Sequence, residues 1–139
     1  MWSIQKMFDN AYKTAAERNW DTVYVMVDIH GTIVYNNYSG IAITPYPRAI
    51  EALKMLSDRK DIVLILFSSC YPQDYKIYFD LFSSFEINFK YFNENPVSPN
   101  SKTGCFDKKP YFSILLDDKA GFDPDMDWDT ILEYFSQRG

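Results

Sequence analysis

Two junctions in this chain, each leading from an apolar run into acidic residues, limit the folds that are open to it. At the first, residues 23–27 are apolar and rich in β-branched side chains, and Asp28 follows. At the second, residues 113–116 lead directly into Asp117 and Asp118. Such runs are typical of strands buried in a parallel sheet. A turn or a helix cap would explain one acid alone, but two such junctions predict carboxylates that meet at one edge of the sheet and attract a cation.

The rest of the chain alternates between helical and strand patterns. Apolar residues at helical spacing predict helices at about residues 3–18, 48–59 and 72–82, and a closing helix that ends near residue 137. Apolar runs predict strands at residues 23–27, 61–67, 86–92 and 112–116.

This alternation predicts an α/β fold of three layers, in which helices cover both faces of a Rossmann-like parallel sheet of about four strands. Strands one and four both end in acids and should be neighbours, which gives the strand order 4-1-2-3. Because the order reverses at strand one, the crevice of the sheet should lie beside Asp28 and Asp117.

Composition sets the outer limits of this interpretation. A hydrophobic content of 47% can fill one core, so we expect a single domain over residues 1–139, with a small hairpin flap at about 33–43 and no large cap domain. A net charge of −5 with scattered Lys and Arg argues against stable nucleic-acid binding. Without an apolar segment of about 18 residues, the chain is expected to be cytoplasmic and to have no membrane partner. Cys70 is expected to be a small buried thiol.

Four features in this order resemble the haloacid dehalogenase (HAD) superfamily of phosphohydrolases. They are an acid-tipped strand followed by Gly31 and Thr32, a strand ending at Ser68, a lysine, and a strand ending in paired aspartates. The resemblance covers residues 21–121. It is to the minimal members without a cap domain, with weak similarity to the deoxyribonucleotidase and polynucleotide-phosphatase branches.

The resemblance implies a covalent mechanism. Asp28 would attack phosphorus and form an aspartyl-phosphate, which water later hydrolyses. Ser68 would hydrogen-bond a phosphoryl oxygen. Lys109 or its neighbour Lys108 would neutralise the phosphoryl group, and Pro110 favours Lys109 because it fixes the backbone just before the fourth strand.

The resemblance also implies a metal site. Asp28, Asp117, Asp118 and the main-chain carbonyl of His30 would hold Mg²⁺, a hard ion that accepts a few carboxylates and keeps water and phosphate as its other ligands. The residues expected to help bind the substrate are Gly31, Thr32 and Ser69.

His30 departs from the family pattern, because family phosphatases usually carry a second Asp two residues after the nucleophile. An imidazole, with an unperturbed pKa of about 6.5, can donate and accept protons, so His30 is a candidate general acid and base. A cationic imidazole is disfavoured beside Mg²⁺. The alternative is therefore that His30 only supports its loop.

The expected function is hydrolysis of small or medium-sized phosphorylated substrates, such as a nucleotide or a phosphorylated end, in an open site that a second copy of the chain could cover. Four tyrosines are expected near its rim, where packing is their default role: Tyr35, Tyr38, Tyr71 and Tyr75. One alternative is a catalytically weak phosphate-binding or regulatory protein in which His30 has replaced the acid. Another is a response-regulator-like receiver, but that fold needs a phosphoacceptor on a middle strand, and strand three ends without an acid.

Overall fold

The computed structural model describes residues 3–35 and 44–139. These residues contain four helices and four strands. The helices are α1 (Ile4–Glu17), α2 (Ala49–Asp58), α3 (Tyr75–Ser84) and α4 (Asp127–Arg138). The strands are β1 (Val23–Asp28), β2 (Ile62–Phe67), β3 (Tyr91–Phe92) and β4 (Ile114–Leu116). Short 3₁₀ turns at Pro72–Asp74 and Asp118–Ala120 precede α3 and follow β4.

The four strands form one parallel sheet in the order β3-β2-β1-β4. Read from the β4 edge, this order is 4-1-2-3. The expectation that strands one and four are neighbours is confirmed, since Val27 pairs with Leu116. Because all the strands run in the same direction, their carboxyl ends share one edge of the sheet.

The two faces of the sheet are packed differently. Side chains of β1 alternate between two apolar clusters, with Val25 in the larger cluster and Met26 in the smaller one. The buried residues of all four helices belong to the larger cluster. The sequence predicted helices on both faces, but within the described residues the second face is packed instead by aromatic side chains that precede β4, Tyr111 and Phe112 among them. These large rings keep Met26 fully buried without a helix.

The third strand is much shorter than predicted, covering two residues where the apolar pattern predicted residues 86–92. Glu86 adopts a left-handed φ of 64°, and its N–H donates to Ser83, while the Ile87 N–H donates to Phe82. These two amides therefore close the end of α3 and do not join the sheet. Ile87 and Phe89 still point into the core, which explains the strand-like pattern.

The hairpin flap predicted at about residues 33–43 falls mostly on residues 36–43, which lie outside the described residues. On either side of them, Val34 pairs antiparallel with Pro45, and the Tyr35 N–H donates to the carbonyl of Thr44 over 2.9 Å. None of the helices within 3–35 and 44–139 has both the length and the apolar character needed to cross a membrane.

Candidate metal centre

Parallel pairing of β1 with β4 brings three carboxylates together at the carboxyl edge of the sheet. Val27 and Leu116 are partners, so Asp28 and Asp117 follow on neighbouring strands, and Asp118 begins the turn after β4. One oxygen from each carboxylate lies within 4.8 Å of the others, and all three side chains are partly buried. We call these three residues the carboxylate cluster.

Thr32 connects the two acidic loops from inside the protein. Its hydroxyl lies 3.2 Å from Oδ2 of Asp28 and 3.4 Å from Oδ1 of Asp118, and it accepts the backbone N–H of Asp118 over 3.0 Å. Since the hydroxyl has one proton, it can donate to only one carboxylate at a time. The carbonyl of Thr32 accepts the indole N–H of buried Trp128 on α4. In the structure this side chain holds the carboxylates, and its substrate contact stays a prediction.

Gly31 provides the turn that follows Asp28. Its φ of 84° lies in the left-handed region, where a residue without Cβ is least strained, and its N–H donates to the carbonyl of Val34 over 2.7 Å. The N–H groups of Ile33 and Val34 both donate to the carbonyl of Ile29. The loop after β1 is thus a tight, internally bonded turn.

Within the described residues, the carboxylate cluster has no cationic side chain paired with it. Burial, followed by the negative charge of Asp117, raises the pKa of Asp28 to about 6, and the hydrogen bond from Thr32 offsets only part of this rise. Among the described residues, no Lys or Arg side chain forms an ion pair with any of the three carboxylates. Close, partly buried oxygen donors of this kind fit a hard divalent cation such as Mg²⁺.

His30 contacts α3. Its Nε2 lies 3.4 Å from the hydroxyl of Tyr78, and the two rings meet edge-on with their centroids 5.9 Å apart. Burial lowers the pKa of the imidazole. The contact with Tyr78 could not be read from the sequence, because 48 residues separate the two positions.

The loop after β2 is held by Asn93, a residue that the sequence analysis missed. Its side-chain carbonyl accepts the N–H of Ser68 over 2.9 Å, and its side-chain amide donates to the carbonyl of Ser68 over 2.7 Å and to the hydroxyl of Tyr75 over 3.0 Å. Asn93 has a φ of 57°, and asparagine tolerates that conformation better than most residues. An asparagine directly after strand three was the available signal. Ser69, in the same loop, is exposed.

The predicted lysine is not in contact with the cluster. Lys108 and Lys109 are both exposed, and Nζ of Lys109 lies 5.9 Å from the ring centroid of Phe112. The structure therefore brings Asp28, Asp117 and Asp118 together but leaves the lysine's role a prediction. Cys70, expected to be buried, is only half-buried, and burial raises the pKa of its thiol.

Comparison with known proteins informs the fold alone. No protein-family model matches the chain, and no curated protein matches its sequence. The chain is similar to a solved structure described as a conserved protein coded by a locus from Bacteroides thetaiotaomicron. The TM-score is 0.64 at 25% identity, over 85% of this chain and 93% of that one. This likeness supports an α/β arrangement of this size.

Proposed function

We propose that this protein is a Mg²⁺-dependent phosphomonoesterase of the haloacid dehalogenase type. The carboxylate cluster carries the proposal: three partly buried acids meet at the carboxyl edge of a parallel sheet, without an ion-pair partner in the described residues. Ligand sites in open α/β sheets lie at that edge.

Asp28, Asp117 and Asp118, with the main-chain carbonyl of His30, would hold the metal ion. When bound, Mg²⁺ supplies positive charge that offsets the repulsion among the carboxylates and favours the phosphoryl group at this edge. The donor set fits this ion, because every proposed ligand atom is oxygen.

Asp28 would act as the nucleophile. The Thr32 hydroxyl lies against its Oδ2, which leaves Oδ1 as the oxygen that attacks phosphorus. A bond forms between Oδ1 and phosphorus while the bond to the leaving alcohol breaks, and that alcohol takes a proton from the candidate general acid, protonated His30. Water then attacks the aspartyl-phosphate, which releases inorganic phosphate and restores the carboxylate. The neutral imidazole would then take the proton of the attacking water.

The loop after β2 would bind phosphoryl oxygens through the Ser68 hydroxyl and through Ser69. Two hydrogen bonds between Asn93 and the backbone of Ser68 would hold the loop in place for this role. Lys109 would need to turn from its position near Phe112 to reach a bound phosphate. Lys109 is the candidate for the positive charge that neutralises the phosphoryl group.

A second candidate is a phosphate-binding or regulatory protein that retains the fold and the carboxylate cluster but turns over little substrate. The contact between His30 and Tyr78 favours this alternative, because a side chain held against α3 could serve packing alone.

Phosphate release from p-nitrophenyl phosphate and from a panel of nucleoside monophosphates, in MgCl₂ and in EDTA, tests the proposal. We expect release only with Mg²⁺, and a loss on the order of 10³-fold or more in Asp28→Asn. Asp58→Asn, the same change at an exposed position of α2, is the matched control and should keep full activity. Full activity of Asp28→Asn, or equal rates in EDTA, would refute the mechanism. An inactive wild type that still binds Mg²⁺ and phosphate would support the second candidate.

A further inference from the structure

A cavity lies at the amino-terminal end of the sheet, away from the carboxylate cluster. Its volume is about 500 Å³, and its lining includes Arg18, Trp20, Phe106 and Tyr111. Trp20 and Tyr111 precede β1 and β4, the two strands that carry the clustered acids at their other ends. The volume falls in the range of about 300–1,000 Å³ that is usual for small-molecule sites.

The aromatic walls of this cavity hold one another in place. The Tyr111 ring meets Trp20 edge-on at 5.3 Å and Phe106 at 5.4 Å, and it also contacts Tyr24 of β1. The Phe106 ring lies directly on the backbone of Gly104, where an added Cβ would be 2.8 Å from Cζ of Phe106. These contacts indicate a preformed pocket that presents ring faces and edges.

Arg18 adds a positive charge to these walls. Its guanidinium carbon lies 5.1 Å from the ring centroid of Trp20, and its Nη1 lies 3.4 Å from the hydroxyl of Tyr111. Arg48 and Arg59 each pair with acids, but Arg18 forms no ion pair within the described residues. A guanidinium has five N–H donors, so Arg18 retains donors for an anion.

Three polar side chains on the other side of the cavity form hydrogen bonds within their own loop. The side chain of Asn100 bonds to Asp107 and to the N–H of Phe106, and the hydroxyls of Ser101 and Thr103 bond to each other. These bonds leave the aromatic rings and Arg18 as the main groups that can recognise a ligand in this cavity.

We propose that this cavity binds a small planar aromatic anion, with its ring against Trp20 and Phe106 and its negative group at Arg18. An aromatic carboxylate and a nucleoside monophosphate share this chemistry. The site does not depend on the function proposed for the carboxylate cluster, so either proposal can fail alone.

The indole N–H signals of the three tryptophans provide a direct test by ¹⁵N NMR. Titration with 2-naphthoate should shift the Trp20 signal, identified by its loss in Trp20→Phe, and leave buried Trp128 unchanged. Arg18→Met should weaken binding about tenfold, because it removes a charge-assisted hydrogen bond and keeps an apolar stem. Arg138→Met is the matched control, since that guanidinium also lies over a ring, at 3.6 Å from Tyr12, but outside the cavity.

Two further ligands complete the experiment. The neutral analogue 2-naphthalenemethanol should bind about tenfold more weakly than 2-naphthoate. AMP tests whether the ligand is a nucleotide. Tighter binding of AMP than of 2-naphthoate supports a nucleotide ligand, and weaker binding supports an aromatic carboxylate. The proposal is overturned if neither anion shifts Trp20, if the neutral analogue binds equally well, or if Arg18→Met and Arg138→Met behave alike.

Discussion

Asp28 and Asp61 lie at opposite ends of neighbouring strands, and the fold treats the two carboxylates in opposite ways. Asp61 directly precedes β2, where its oxygens accept two hydrogen bonds from Arg59, at 2.9 and 3.1 Å, and one from Tyr12 at 2.9 Å. Asp28 ends β1, where its side-chain partner is a hydroxyl and its neighbours are two other carboxylates.

The pKa values follow from these surroundings. Burial is the largest influence on both carboxyls and acts to raise the pKa of each. At Asp61 the bonds from Arg59 and Tyr12 outweigh burial, and the pKa lies below its usual value. At Asp28 the charge of Asp117 adds to burial, and the pKa rises to about 6. Asp61 therefore stabilises the fold. The charged form of Asp28 is instead disfavoured by its surroundings, and a bound cation would favour it.

The largest expected effect is on phosphate release, and it tests whether only the Asp28 end of the sheet is catalytic. His30→Ala should lower phosphate release by about 10²–10⁴-fold if the imidazole is the general acid and base. Asp61→Asn should keep the wild-type rate, because its contacts lie at the other end of the sheet. Rates on one good substrate in MgCl₂ measure both effects.

His30→Asp distinguishes the two proposed functions. It restores the usual acid of the family, so in an active enzyme it should shift the pH–rate profile to lower pH. If wild type and His30→Ala are both almost inert and His30→Asp gains turnover, the protein is a binder that has lost its acid. A His30→Ala rate equal to that of an active wild type would remove the histidine from the mechanism.

The next effect is stabilisation by Mg²⁺. At a concentration 100 times its dissociation constant, Mg²⁺ should raise the free energy of unfolding by about 2.7 kcal/mol, as for any ligand that binds only the folded state. Asp117→Asn and Asp118→Asn should lose most of this gain, while Asp61→Asn keeps it. Urea unfolding in MgCl₂ and in EDTA provides the measurement. Equal gains in all three variants would show that the metal binds elsewhere.

Substitution by asparagine should change stability in opposite directions at the two ends of the sheet. In EDTA at neutral pH, Asp61→Asn should lower the free energy of unfolding by about 1–2 kcal/mol, because the charged bonds to Arg59 and Tyr12 are weakened. Asp28→Asn should raise it by about 1 kcal/mol, because a repelled charge is removed. Urea unfolding of both variants checks the signs. Loss of stability in both would mean that the hydrogen bond from Thr32 outweighs burial and repulsion at Asp28.

The sequence predicted the Asp28 end of the sheet well, and the reason is local. An apolar run followed by an acid predicts a buried strand with a carboxylate at its carboxyl end. Because two strands of this chain end in acids, they were expected to be neighbours. Asp117 and Asp28 therefore meet as expected.

Features set by contacts between distant segments could not be predicted in this way. The apolar pattern of residues 86–92 gave no sign that Glu86 and Ile87 bond back to α3 and shorten β3. The packing of Tyr111 and Phe112 on the second face has no periodicity, so helices were predicted there instead. Lys109 lies at the end of an irregular loop. Without a repeating backbone pattern there, the sequence does not indicate the direction of its side chain.

The smallest expected effect is on the pH dependence of stability, measured in EDTA, and it compares the same two carboxylates. An unfolded Asp titrates at about pH 3.9. Asp61 has a lower pKa when folded, so its contribution is present above about pH 4 and is lost as the pH falls through the folded value. Asp28 has a folded pKa of about 6, so its contribution is present below about pH 4 and is lost as the pH rises through about 6.

Relative to wild type, Asp61→Asn should therefore lose stability as the pH rises from about 2 to 5, and Asp28→Asn should gain stability from about 4 to 7. Each change should be about 1 kcal/mol, because both side chains are partly exposed and solvent screens them. Unfolding midpoints across this pH range, corrected for the wild-type curve, should give two lines of opposite slope, and parallel lines would show that the two carboxylates do not differ as the structure indicates.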